Sequence, residues 1–118
     1  MNKKNYTLVF LLSLFLSSNL FASNQKFYND AINEFDKKNF TKSKFLFQRH
    51  LVINPKDFSS YLYLAKIFEK EKNMTEFEKN LNTTLLLDPK NEEALYMLIE
   101  LQLSLSNFSK VKHLNEKF

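Results

Sequence analysis

Two apolar patterns divide this chain. Near the N-terminus, Tyr6 to Leu16 is one almost unbroken apolar run, preceded by Lys3 and Lys4 and followed by the polar break Ser17-Ser18-Asn19. Beyond Ala22 no such run recurs. Apolar positions there interleave with polar ones, and the interleaving repeats. Pro55 and Pro89 lie 34 residues apart in near-identical phrases, Ile53-Asn54-Pro55-Lys56-Asp57 and Leu87-Asp88-Pro89-Lys90-Asn91. Asn39, Asn73 and Asn107 keep the same interval, as do Phe40, Met74 and Phe108, then Thr41, Thr75 and Ser109. Ala31, Ala65 and Ile99 share a further slot. Independent positions agreeing on one period mark an array of structural repeats.

Local chemistry splits each period into two helices. Proline ends one helix, because it cannot donate its backbone nitrogen or fit the preceding turn. Asp57 and Asn91 follow and can cap the next helix by accepting a backbone N–H. Thr41, Thr75 and Ser109 are the expected caps of the second helices, with Thr75 and Glu78 forming a capping box. Phe40 against Phe45 would be a hydrophobic staple, and the asparagines are expected to take the left-handed turn conformation. The prediction is an all-α chain of antiparallel helix-turn-helix units.

These residues resemble the tetratricopeptide repeat (TPR). That pattern has an aromatic at position 4, small residues at 8, 20 and 27, aromatic or bulky residues at 17 and 24, and proline at 32. Repeat one, residues 24–57, has Phe27, Ala31, Phe40, Ser43, Phe47, His50 and Pro55. Repeat two, residues 58–91, has Tyr61, Ala65, Met74, Phe77, Leu81, Thr84 and Pro89. A partial third repeat, residues 92–118, has Leu95, Ile99, Phe108 and Val111. Ile99 and Phe77 are larger than the pattern prefers, and Asp30 stands where leucine is usual. The resemblance implies a short right-handed α-solenoid of about 2.8 repeats. Its first helices would line a concave groove for a protein or peptide partner. On that frame the groove residues are Tyr28, Ile32 and Phe35, then Leu62, Lys66 and Glu69, then Tyr96, Glu100 and Leu103. The variant that clamps acidic C-terminal peptides needs Lys, Asn and Arg donors. Its positions here hold Tyr28, Ile32, Tyr63, Glu93 and Met97, so that specificity is not expected.

Composition removes several classes of function. There is no Cys and no Gly among the 118 residues, so thiol chemistry, cysteine metal sites and glycine-rich phosphate loops are absent. The two histidines, His50 and His113, have no metal spacing. The acidic pairs Glu69/Glu71, Glu76/Glu78 and Glu92/Glu93 read as solvated helix faces. No catalytic residue, metal site or cofactor is expected, and the chain reads as a non-enzyme. The net charge of +4 falls to +2 without Lys3 and Lys4, and the charges are interspersed, which argues against nucleic-acid binding.

Residues 1–22 have the form of a secretory signal, with a basic start, an apolar centre and Ala22 before the cleavage point. The expectation is a 23–118 domain exported to the periplasm or beyond, an adaptor or assembly factor of a bacterial cell envelope. The competing expectation keeps the N-terminal segment as an inner-membrane anchor of a self-associating structural subunit. A helix over 109–118 would be short, with Val111, Leu114 and Phe118 uncovered, which predicts an unstable monomer and a homodimer through this end. Asn73, with Glu71 two residues earlier, resembles an extended bacterial glycosylation sequon in an exposed turn, and its use stays open.

Overall fold

In the computed structural model the backbone is described for residues 3–105, 113–114 and 116–117, and side chains for 6, 9–13, 25–105 and those last four. Among the described residues the helices follow in the order α1 Lys3–Asp36, α2 Phe40–Ile53, α3 Phe58–Lys70, α4 Met74–Leu87 and α5 Glu92–Ser104. The expected hairpins are present as α1 with α2 and α3 with α4, and α5 opens the third unit. α1 runs unbroken through Ala22 and Ser23. At about 1.5 Å per residue its 34 residues span about 50 Å, and about three-fifths of it precedes the repeats. Among the described residues no helix is long and apolar enough to cross a membrane, and the apolar run itself is only partly described. Tyr6, Val9, Phe10, Leu11 and Leu12 are exposed.

Both hairpin turns are built alike. Lys38 and Lys72 take the left-handed conformation, with φ of 63° and 58°. Asn39 N–H donates to Glu34 O at 2.9 Å and Lys38 N–H to Phe35 O at 2.8 Å. Asn73 N–H to Phe68 O and Lys72 N–H to Glu69 O repeat the pattern at 2.9 and 3.0 Å. This is the Schellman closure of a helix C-terminus. The left-handed residue is therefore the lysine, and the expected asparagines have negative φ, −84° at Asn39 and −90° at Asn73. The asparagines are instead the N-cap residues, one position before α2 and α4, which displaces Thr41 and Thr75 from that role. Asn73 accepts from Glu76 N–H, so the capping pair is Asn73 with Glu76 rather than Thr75 with Glu78. Phe40 packs edge-on against Phe35, and Phe45 is left exposed, so the expected staple does not form. Asp57 and Asn91 cap α3 and α5 as expected, accepting from Ser60 and Ala94 N–H.

The packing slots of the two full repeats are filled at equivalent positions. Ala31 and Ala65, Ser43 and Phe77, Phe47 and Leu81, His50 and Thr84 are all buried. Small Ser43 lets α1 and α2 approach until its hydroxyl donates to Ala31 O at 2.8 Å. The core forms two clusters. One joins α1, α2 and α3 around Ala31, Phe47, Leu64 and Ile67. The other joins α3, α4 and α5 around Ala65, Phe77, Leu81, Leu98 and Leu101. Half-buried Phe68 packs against both. Ion pairs Lys44–Glu71 (2.6 Å) and Lys66–Glu93 (2.8 Å) link successive units. Val111 and Phe118 lie outside the described residues, while Leu114 is half-buried against the second cluster.

Candidate functional site: the face of the first helices

The nine groove positions fall on α1, α3 and α5, and they divide into two kinds. On α1 the rings are held by neighbours. Tyr28 shares a 2.6 Å hydroxyl hydrogen bond with Ser59 and sets its ring edge-on to Phe47 at 5.9 Å. Phe35 lies edge-on between Phe40 and Tyr63, at 5.5 and 5.1 Å. Ile32 is half-buried in the same cluster. Leu62 is buried in the second core cluster. Packing therefore occupies these four, whatever else they touch.

Toward α5 the face opens. Lys66 is held by Glu93 and lies over the Tyr63 ring. Tyr96 is 62% and Leu103 46% exposed. The Tyr96 hydroxyl donates to Glu100 at 2.7 Å. That hydrogen bond, followed by the charge of Glu100, holds the Tyr96 phenol above its ordinary pKa. Glu69 and Glu100, from different repeats, meet at one cleft of about 220 Å³, together with Met74, Phe77, Met97, Leu101 and Ser104. Position within the repeat identifies the two glutamates but not the methionine floor. A signal for that floor exists, since Met74 stands in the slot that holds Phe40 in repeat one.

A second cleft, of about 620 Å³, lies at the α2–α3 turn, and of the groove positions that the repeat pattern marks it is lined by Tyr28 alone. His50, 4% exposed, brings Nε2 to 3.3 Å from Asp57 Oδ2 and within 3.4 Å of the Asn54 amide. The Ser60 hydroxyl donates to the same Asp57 oxygen. Carboxylate thus stands between hydroxyl and imidazole, the wrong order for a base to activate the serine. The arrangement braces the α3 cap. His113 is exposed. Among the described residues no group of three His, Asp or Glu could hold a metal ion.

Solved structures share this arrangement of helices. One, a CopN–Scc3 complex, superposes with a TM-score of 0.70 at 15% identity, over 80% of this chain and 55% of the other. Another, the Sgt2 TPR domain from Aspergillus fumigatus, gives 0.67 at 17% identity, over 80% of this chain and 63% of that one. The chain thus matches a little over half the length of each. No family model matches the chain, and no curated protein matches it either. The fold is a TPR-like helical-repeat solenoid.

Proposed function

We propose that the chain is an exported protein-binding module, an adaptor or assembly factor of a bacterial cell envelope, that holds a partner segment on the α3–α5 part of its first-helix face. One observation carries the binding reading. Tyr96 and Leu103 stand exposed on α5, on the face where a solenoid of this type is concave, and Tyr96 is hydrogen-bonded to Glu100, which lines a cleft on the same helix. Monomer surfaces carry many single apolar residues, but an exposed tyrosine on the concave face has the composition of an interface anchor. One structural neighbour comes from a complex, CopN–Scc3, which is in keeping with a protein partner.

Placing a photo-crosslinking side chain at position 96 and a control at Thr83, on α4, tests this in cells. Crosslinked product from position 96 that disappears with Leu103→Ala supports the reading. Crosslinking that is equal at both positions removes the face from consideration.

Export rests on the pattern Lys3, Lys4 and Tyr6–Leu16 followed by Ala22. Fractionation with mass spectrometry should find a chain beginning at Ser23 outside the cytoplasm. The anchored alternative draws on the continuity of α1, which would join a retained membrane segment to the repeats without a hinge. Intact Met1 on membrane-extracted protein would select it.

A further inference from the structure

The cleft between the C-terminal ends of α3 and α5 has a chemical bias that the binding reading leaves unused. Its apolar lining is Met74, Phe77, Met97 and Leu101, and the ionisable side chains that line it are Glu69 and Glu100. At about 220 Å³ it is smaller than the sites that enclose whole small-molecule ligands. It holds space equal to several waters, the scale of one inserted side chain. Two methionines give it a deformable lining that adapts to different apolar shapes.

Electrostatics around it favour a cation. Glu69 is the penultimate residue of α3, and Leu101 and Ser104 lie in the last turn of α5. The negative ends of two helix dipoles therefore add to the two carboxylates. Nearby cations are engaged elsewhere or held loosely. Lys66 is taken by Glu93 at 2.8 Å, and Lys70 stands 3.9 Å from Glu69 with its side chain largely in water. Glu100 accepts a hydrogen bond from Tyr96 at 2.7 Å, and a carboxylate can accept several. The opposing dipole end is the start of α4, where the Asn73 side chain already accepts from Glu76 N–H and the Glu76 carboxylate places a negative charge in the first turn.

We propose that this cleft takes an apolar side chain of a partner polypeptide whose neighbouring residue is Lys or Arg, the apolar group entering among the methionines and the cation bridging Glu69 and Glu100. The inference rests on the binding reading and sharpens it from a protein partner to a basic–apolar segment.

Panning a random twelve-residue peptide library against the purified chain tests it. The expected result is enrichment of Lys or Arg next to Leu, Met or Phe. Binding of the enriched peptides should weaken about tenfold with Glu69→Gln/Glu100→Gln and fall as salt rises, as charge-assisted contacts do. Both glutamates are at the surface, and unchanged circular dichroism would confirm that the variant folds. Enrichment of acidic or uncharged peptides, lost with Tyr96→Ala but indifferent to the glutamate variant, would overturn this inference and leave the binding reading standing. No enrichment by the folded chain, or enrichment indifferent to all these variants, would overturn both.

Discussion

Repeat one and repeat two have the same backbone and different interiors. Each turns through a left-handed lysine, Lys38 or Lys72, and each ends before a proline and an Asp or Asn cap. Inside, repeat one is aromatic. Phe47 is fully buried, stacks on Tyr63 at 5.0 Å and meets the edge of Tyr28. Repeat two is mostly aliphatic, with Leu81 in the matching slot, though a buried ring, Phe77, stands where repeat one has Ser43. The polar positions differ in the same way. Buried His50 reaches across to Asp57, whereas its counterpart Thr84 bonds within its own helix, to Asn80 O at 2.9 Å. The repeat pattern thus specifies where chains approach and turn, while side-chain identity decides what each unit does with its surface. In repeat one the rings fill the first-helix face. Toward α5 that face stays open, and the candidate site lies there.

Truncating the shared core slot should separate the two units most strongly. Phe47→Ala should cost about 3–5 kcal/mol, because a fully buried ring leaves a cavity and two aromatic neighbours lose their partner. Leu81→Ala should cost about 2–5 kcal/mol, toward the lower part of that range if the aliphatic cluster relaxes around it. Urea unfolding measures both. A larger loss at Leu81 would mean that the α3–α5 cluster, and not the aromatic one, dominates stability.

Next in size is the cap pair. Removing a cap costs about 0.5–2 kcal/mol, and Asn91→Ala should fall in that range, since its Oδ1 serves Ala94 N–H. Asp57→Ala should cost more. Its carboxylate also accepts from the Ser60 hydroxyl and stands beside buried His50, and each buried polar group left unsatisfied costs a further ~1–3 kcal/mol. Equal losses would show that His50 and Ser60 find other partners when Asp57 is gone.

The period, the proline stops and the Asp57 and Asn91 caps were legible in the sequence because each follows from a steric demand repeated at one interval. Ala31 and Ala65 recur where two helices must touch, and any 34-residue alignment reveals them. The turn chemistry was harder to read. In a chain without glycine some other residue must take the positive φ, and asparagine is the ordinary substitute. Here Asn39 and Asn73 are needed one step later as caps, so the strain falls on the preceding lysines, whose side chains carry no sign of it. The site was legible in part. Position within the repeat picked out Glu69, Tyr96, Glu100 and Leu103 on the open stretch. It could not show that Phe40, Phe47 and Tyr63 would close around Tyr28 and Phe35, because that depends on how rings from three helices pack.

The two strained lysines offer a smaller and more even test. A non-glycine residue held in the left-handed region costs about 1–2 kcal/mol, and glycine removes that cost while adding backbone entropy to the unfolded chain. Lys38→Gly and Lys72→Gly should each stabilise the protein by up to about 1 kcal/mol, read as a rise in melting temperature. Equal gains would support one turn geometry in both repeats. A gain at only one would show that the other lysine also contributes through its side chain.

The smallest expected effect distinguishes what the two equivalent turns do with charge. In repeat one Glu34 receives Lys42 Nζ at 3.0 Å and the Asn39 amide at 2.9 Å. The Lys42 hydrogen bond, helped by the Asn39 amide and the charges of Lys42 and Lys37, holds Glu34 below the ordinary glutamate pKa despite some desolvation. Drawn toward Glu34 in this way, Asn39 makes no side-chain cap bond. In repeat two the position of Glu34 holds Phe68, and Asn73 is left to cap Glu76. A carboxylate with a depressed folded pKa stabilises the protein above its unfolded pKa, and that contribution is lost as pH falls through the folded pKa. Replacing Lys42 with Gln should therefore raise the Glu34 pKa, followed by carboxyl chemical shift. It should lower stability slightly at neutral pH and lose its effect once the medium is acid enough to protonate Glu34 in both proteins. The same comparison made with Lys79→Gln, whose partner Glu76 is contacted at 3.3 Å across one turn of α4, should leave Glu34 unmoved. A shift of Glu34 in the Lys79 variant would mean that the two turns are electrostatically coupled through α3, and that the repeats are less independent in charge than they are in packing.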